Sequence, residues 1–323
     1  MKGKLYYERE NEKKILKIIE GNSELQGFYA FLSSNESSTT MYNYLAIIRN
    51  FLKYVNKTTD QLKLDDFSSF MLFKQTTKEG NIASAAYRIG IYHALKKYGE
   101  YLEAKGALPG NPMDKIKRPV LKESEETIQR RERGFLEKEE IKKYLDAAEE
   151  ESLKDPTWGK RDIAILKIFL GTGIRNSAMH KIDVSSVDFI KKTLTVTDKE
   201  STVNVHKLSE SILSSIKEWM EEREKILNGK EEEALFISNR RTRLTQRAIY
   251  NVVTKYAADI KGKKISPHKL RATYGSQLYQ ETEDIYFVQR CMTHANPKTT
   301  ALYIRGQKNQ TEKAANIMEK FMN

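Results

Sequence analysis

The segment Leu108-Pro109-Gly110-Asn111-Pro112 breaks the chain a third of the way along, and no regular helix or strand can run through it. Each proline fixes φ and removes a backbone donor, and the residue before it avoids the helical region. In a chain of 323 residues this leaves two pieces of ordinary domain size. Residues 113–134 are polar, charged and aperiodic, with Pro119 among them, the pattern of a linker. The expected organisation is a first domain over 1–108, a linker over 109–134 and a second domain over 135–323.

Both pieces carry mainly the helical period. Met41, Tyr44, Leu45, Ile48, Phe51, Leu52 and Val55 recur on one face after the capping cluster Ser37-Ser38-Thr39. A shorter helix is predicted from Leu64 to about Lys74, and a longer one over 82–105 that tolerates Gly90 and Gly99. In the second piece, residues 163–170 form a nearly continuous apolar run, read as a buried helix. Further helices are predicted around Ile141 to Ala148, Ile212 to Leu227 and Ala248 to Ala257, and a short amphipathic one over Ala314 to Phe321. Only residues 193–205 alternate in the manner of strands, with Leu194, Val196, Val203 and Val205 flanking the polar turn Asp198-Lys199-Glu200-Ser201. The second domain therefore reads as mostly α with a small hairpin.

Composition narrows the function. No run approaches the length of a membrane helix. The start, Met1-Lys2-Gly3-Lys4-Leu5, lacks a signal-peptide apolar stretch, and one cysteine, Cys291, excludes an internal disulfide. A cytoplasmic protein without membrane partners is expected. The net charge is +12. Residues 236–323 hold 16 basic and only 6 acidic side chains, so +10 of the charge falls there. A folded basic surface attracts phosphate backbones, but it also simply keeps a protein soluble, so charge alone permits nucleic acid without establishing it.

Four short segments of the second domain carry chemistry together. They are Thr172-Gly173-Ile174-Arg175, the hairpin turn with Lys199, His268-Lys269-Leu270-Arg271, and the stretch from Thr293-His294 to Tyr303. Alone each is ordinary: a lone arginine there more often caps a helix, a lone histidine is more often structural, and Tyr303 is one of 17 tyrosines. As an ordered set of six they resemble the tyrosine recombinase (phage integrase) family, whose pattern is an arginine turn, a lysine in a β-turn, H-x-x-R, a histidine, and a tyrosine nine residues on. The resemblance runs over about residues 23–310. It takes in Tyr44 with its apolar stripe, Asn111-Pro112, and Phe135-Leu136-Glu137-Lys138-Glu139-Glu140-Ile141.

The resemblance implies a mainly α fold: an N-terminal helical core-binding (SAM-like) domain and a mostly α catalytic domain with a small antiparallel sheet, the DNA breaking-rejoining enzyme fold. It implies Tyr303 as nucleophile, forming a 3′-phosphotyrosine. Arg175, Arg271 and His294 would stabilise the pentacoordinate phosphate, Lys199 would protonate the leaving 5′-oxygen, and His268 would move a proton or orient the phosphate. Paired guanidinium forks suit the non-bridging oxygens, and nearby cations help a phenol ionise. The covalent bond conserves the phosphodiester energy, so no cofactor, ATP or metal is implied. The implied partners are double-stranded DNA and three further copies of the chain, a homo-tetramer on two DNA sites associated with the nucleoid, together with accessory directionality or host factors.

Two departures stand out. The family's acidic residue three positions after the first arginine is Ala178 here, and the glycine before the third-motif histidine is Thr293. They lean towards the integrase of a mobile element over a Xer-like enzyme that resolves chromosome dimers. A topoisomerase and a catalytically quiet DNA-binding regulator are the other readings; the full set of six residues argues against the regulator. About 20 residues precede the first predicted helical domain, so no separate arm-binding domain is expected. Beyond the chemistry, Arg240, Arg241, Arg243 and Arg247 form the densest basic cluster and are expected to touch DNA, as are Lys53, Arg88 and Lys96 in the first domain. A solvated basic loop is the plainer alternative.

Overall fold

A computed structural model describes residues 2–76, 80–120, 135–197, 203–257, 260 and 263–292, with side chains from residue 11 onward. The chain divides into two compact units, Met1–Ser124 and Glu125–Asn323.

The first unit is helical. α1 (Lys2–Ile19), α2 (Ser23–Leu32), α3 (Ser38–Val55), α4 (Leu64–Phe73) and α5 (Ala85–Ala104) enclose a core of Leu25, Phe28, Leu45, Ile48, Phe51, Phe67, Phe70, Leu95 and Tyr98. α3 starts where Ser37 accepts from Thr40 N and stops at Asn56 in the left-handed region, so the predicted stripe faces inward as expected. Three features differ from the sequence reading. The opening residues, for which no helix was predicted, form α1, which buries Ile15, Ile18 and Ile19 in this core. α5 starts three residues late: Ser84 caps it, while Ile82 pairs with Thr76 and stands 80% exposed. The proline-glycine segment is part of the core and not of a linker. Leu108 and Met113 are buried with it, and Asn111 donates to Lys96 O at 3.0 Å while accepting from Met113 N. Gly99 makes that close approach possible, since a Cβ there would lie 1.9 Å from Asn111 Oδ1.

The second unit is built around one helix. Its helices are α6 (Lys138–Lys154), α7 (Pro156–Thr172), α8 (Asn176–His180), α9 (Glu210–Leu227), α10 (Gln246–Lys255), α11 (Pro267–Thr282) and α12 (Ile285–Cys291). α7 opens with Asp155 as cap and Pro156 in its first turn, then buries Ala164, Ile165, Leu166, Ile168 and Phe169 against α6, α9, α10 and α11. Polar ties fix its neighbours. Buried Asp162 accepts from the Tyr256 hydroxyl at 2.8 Å and from Arg161. Trp219 and Arg223 on α9 donate to Leu235 O and Ala234 O. Leu136, fully buried, is held by Thr273 and Gln277 of α11.

A three-stranded antiparallel sheet has the order β1 (Val187–Asp188), β2 (Thr193–Thr197), β3 (Val203–Lys207). β1 was not foreseen; two residues are too few to leave a period. The pairing Leu194↔His206 and Val196↔Asn204 puts Leu194 and Val196 inward. It turns Val203 and Val205 to solvent, 61% and 65% exposed. Val203 and Val205 of β3 therefore lie on the opposite face from Leu194 and Val196 of β2, since one step of register swaps every side chain. Among the described residues no helix is long and apolar enough to cross a membrane.

Candidate active site

A helix ending delivers the first arginine. The Thr172 hydroxyl donates to Ile168 O at 2.6 Å as α7 closes, and Gly173 turns left-handed at φ +61°. Ile174 buries its side chain, and Arg175 sits extended at the N-cap of α8, half-buried. Glycine is required at 173 on two counts: the positive φ, and the Tyr274 ring, whose Cδ1 lies 2.3 Å from where a Cβ would be.

α11 supplies the second pair. Ser266 caps it by accepting from Lys269 N, and Pro267 fills the first position. The three-residue spacing sets His268 and Arg271 on neighbouring positions of one face. Arg271 is only 4% exposed. One of its terminal nitrogens donates to Gly173 O at 2.5 Å and the other to Met292 O. A single guanidinium thus joins the turn before Arg175 to the segment before His294.

His268 keeps solvent access at the start of α11. Its pKa lies below the ordinary 6.5, first through desolvation and then through the positive charges of Arg271, Lys269 and Arg175. Those charges act on one imidazole, so Arg175, His268, Lys269 and Arg271 form one cationic cluster. The shift favours the neutral imidazole, which can accept a proton. Beside the cluster, burial and the Cys291 thiol push the Tyr274 hydroxyl up to about 12. Burial also pushes the Cys291 thiol up. Both stay protonated and brace α11 against α12. Ala178 is buried in the core, so an apolar contact occupies the place of the family's acid.

Lys199, His294 and Tyr303 lie outside the described residues, as does the predicted helix over 314–321.

The arginine cluster forms a tight hairpin. Ser238 N donates to Thr242 O and Leu244 N to Phe236 O, with Arg241 left-handed at the tip. Arg240, Arg241 and Arg247 are exposed, and the Arg247 guanidinium stands 5.3 Å from the Tyr250 ring centre. Arg243 is different. It donates to His180 O at 3.0 Å, to Ile182 O at 3.2 Å and to the Asp183 carboxylate, and its side chain is 17% exposed. Unlike its neighbours, this arginine has its guanidinium occupied within the domain. Nothing in the run Arg240-Arg241-Thr242-Arg243 marks it out; its acidic partner lies 60 residues upstream. In the first unit Lys53 is exposed, Lys96 pairs with Asp114 at 3.4 Å, and half-buried Arg88 has its Nε buried without a hydrogen-bond partner among the described residues.

Residues 134–310 match the model of the phage integrase family, more than half of the sequence. The chain belongs to that family. It is accordingly a tyrosine-type site-specific DNA recombinase. A tyrosine recombinase XerC of Roseiflexus sp. (strain RS-1) is 24% identical over 292 residues, 87% of this chain and 88% of that protein. Two solved structures share the fold. One is a XerH site-specific recombinase bound to difH substrate in a pre-cleavage complex, with TM-score 0.66 and 20% identity over 88% of this chain and 81% of that one. The other is the Tn1549 transposon integrase in complex with transposon right end DNA, with TM-score 0.65 and 16% identity over 93% and 99%. The mainly helical two-unit architecture with its small sheet is the expected fold class.

Proposed function

We propose that this recombinase cuts and rejoins DNA through a 3′-phosphotyrosine intermediate as the integrase of a mobile element. The observation that carries the chemistry is the cationic cluster: Arg271 holds the Arg175 turn and the Met292 backbone together, and both arginines bear on His268. The Tyr303 oxygen attacks the scissile phosphorus and forms the O–P bond, while the bond to the 5′-oxygen breaks. Arg175 and Arg271 neutralise the non-bridging oxygens, assisted by His294. Lys199 gives a proton to the departing 5′-oxygen, and His268 accepts or relays the phenolic proton. The incoming 5′-hydroxyl of another strand reverses the step.

The integrase role is supported by the fold shared with a transposon integrase and by the departures at Ala178 and Thr293. The Xer-like reading, resolution of chromosome or plasmid dimers, is supported by the relatives that bear that name. In either role four copies act on two DNA sites.

The test is a search for covalent adducts. The protein is incubated with sheared genomic DNA of its source, detergent-resistant adducts are captured, and the attached ends are sequenced. Adducts at the ends of a mobile element support the integrase, and adducts at one chromosomal site support the Xer-like role. Tyr303→Phe is expected to abolish them. Wild-type protein that yields no adduct would favour a DNA-binding regulator and overturn the reading.

A further inference from the structure

α8 follows Arg175 directly and has only five residues, so its placement depends on what grips it. Three side chains do so, and all connect it to the basic hairpin. Asn176 Nδ2 donates to Gln246 O at 3.1 Å, at the start of α10. His180, 3% exposed, has Nδ1 at 2.8 Å from Leu244 O; a carbonyl only accepts, so Nδ1 carries the proton. Arg243 closes the set on His180 O, Ile182 O and Asp183. The backbone reinforces the grip: Leu235 N donates to Ile182 O and Val184 N to Glu233 O. The other limb of the hairpin ends in the exposed tip Arg240-Arg241. An unbroken chain of bonded elements therefore runs from the tip to the Arg175 turn, and buried Ala178 adds no polar anchor of its own.

We propose that Asn176, His180 and Arg243 are positioning residues that set Arg175 against the scissile phosphate according to how the Arg240–Arg241 tip sits on the DNA backbone. The proposal rests on the catalytic assignment of Arg175. Coupling of this kind is carried by rigid, hydrogen-bonded elements. It would make cleavage respond to correct seating of the hairpin and not to DNA contact as such.

Two measurements test it. The first needs no target sequence. Full-length protein is labelled by hydrogen–deuterium exchange with and without sheared random-sequence duplex DNA. DNA is expected to slow exchange at residues 176–182 in the wild type, and this slowing is expected to vanish in His180→Leu. His180→Asn, whose amide nitrogen reaches the place of Nδ1, is expected to restore it. The second uses a nicked suicide duplex carrying the attachment site found by adduct sequencing. His180→Leu and Asn176→Ala are expected to lower single-turnover cleavage about ten- to a hundredfold with Kd for that duplex within about twofold. Wild-type exchange at 176–182 that ignores DNA, or equal losses of binding and cleavage, would overturn the proposal. Arg175→Ala run in parallel separates the two failures: if it cleaves like the wild type, the catalytic assignment is the part that falls.

Discussion

Gly173→Ala probes the turn that delivers Arg175. Two costs can be read from the structure. An L-residue held at φ +61° loses about 1–2 kcal/mol relative to glycine. The new methyl would also sit 2.3, 2.9 and 3.1 Å from Cδ1, Cγ and Cε1 of Tyr274, a ring braced by its hydrogen bond to Cys291. Overpacking of that kind costs about 1–3 kcal/mol. The sum is about 2–5 kcal/mol, which at a slope of about 2–3 kcal/mol per M lowers the urea midpoint by roughly 1–2 M. Both tryptophans, Trp158 and Trp219, lie in the second unit and Trp219 is fully buried, so tryptophan fluorescence follows that unit in the intact chain. A double-mutant cycle divides the costs. In a Tyr274→Ala background only the backbone penalty of about 1–2 kcal/mol should remain. Equal losses in both backgrounds, or a loss below about 0.5 kcal/mol in the wild type, would refute the packing argument.

Three further outcomes follow from the same geometry. Arg240→Ala and Arg241→Ala should each weaken binding to duplex DNA and reduce the slope of log K against log salt by about 1. Arg243→Ala should instead destabilise the second unit by about 1–3 kcal/mol in urea titrations, because Asp183, His180 O and Ile182 O each lose one donor. An NMR titration should place the His268 midpoint below 6.5, and Arg175→Ala should move it upward by removing one repulsive charge. Since the folded pKa lies below the unfolded one, the unfolded chain binds the extra proton first. The His268 contribution to stability is therefore full above about 6.5 and is lost as pH falls towards the folded value. His268→Gln should flatten that acid limb, and a midpoint at or above 6.5 would remove the cationic cluster from the account.

Much of the second unit was legible because its signals are local. The apolar run at 163–170 and the glycine before Ile174-Arg175 encode a helix and its end within a few residues, whereas the helix that opens at Ser266-Pro267 was not foreseen. The six-residue set came from a family resemblance in order and spacing, and the structure describes three of its members, Arg175, His268 and Arg271. What stayed hidden depends on partners distant in sequence. The strand valines were visible, but the face they occupy is fixed by pairing across a turn, and one residue of register decides it. The opening segment is rich in charge, so its few isoleucines did not announce α1, and only the surrounding helices reveal the cavity they fill. Leu108-Pro109-Gly110-Asn111-Pro112 did signal the end of helical structure, yet the same residues fold back because Gly99 leaves room for Asn111.

Arg243 shows most directly why a basic cluster cannot be read as one function. Four arginines lie within eight positions, and sequence treats them alike. Their environments do not. Arg240 and Arg241 face solvent at a tip whose backbone bonds are already satisfied, so their charge remains available to a phosphate. Arg243, two residues on, donates to His180 O at the end of α8 and to Ile182 O just beyond it. A short helix exposes its last carbonyls, and a planar guanidinium can bond one of them, a carbonyl just beyond and a carboxylate together. The same residue type is therefore exposed at the tip and bonded into the fold two positions on, and what separates the two is the set of acceptors that Arg243 meets within the domain. With an apolar residue buried at position 178, the polar bonds that hold α8 come from the hairpin side, through Arg243, His180 and Asn176.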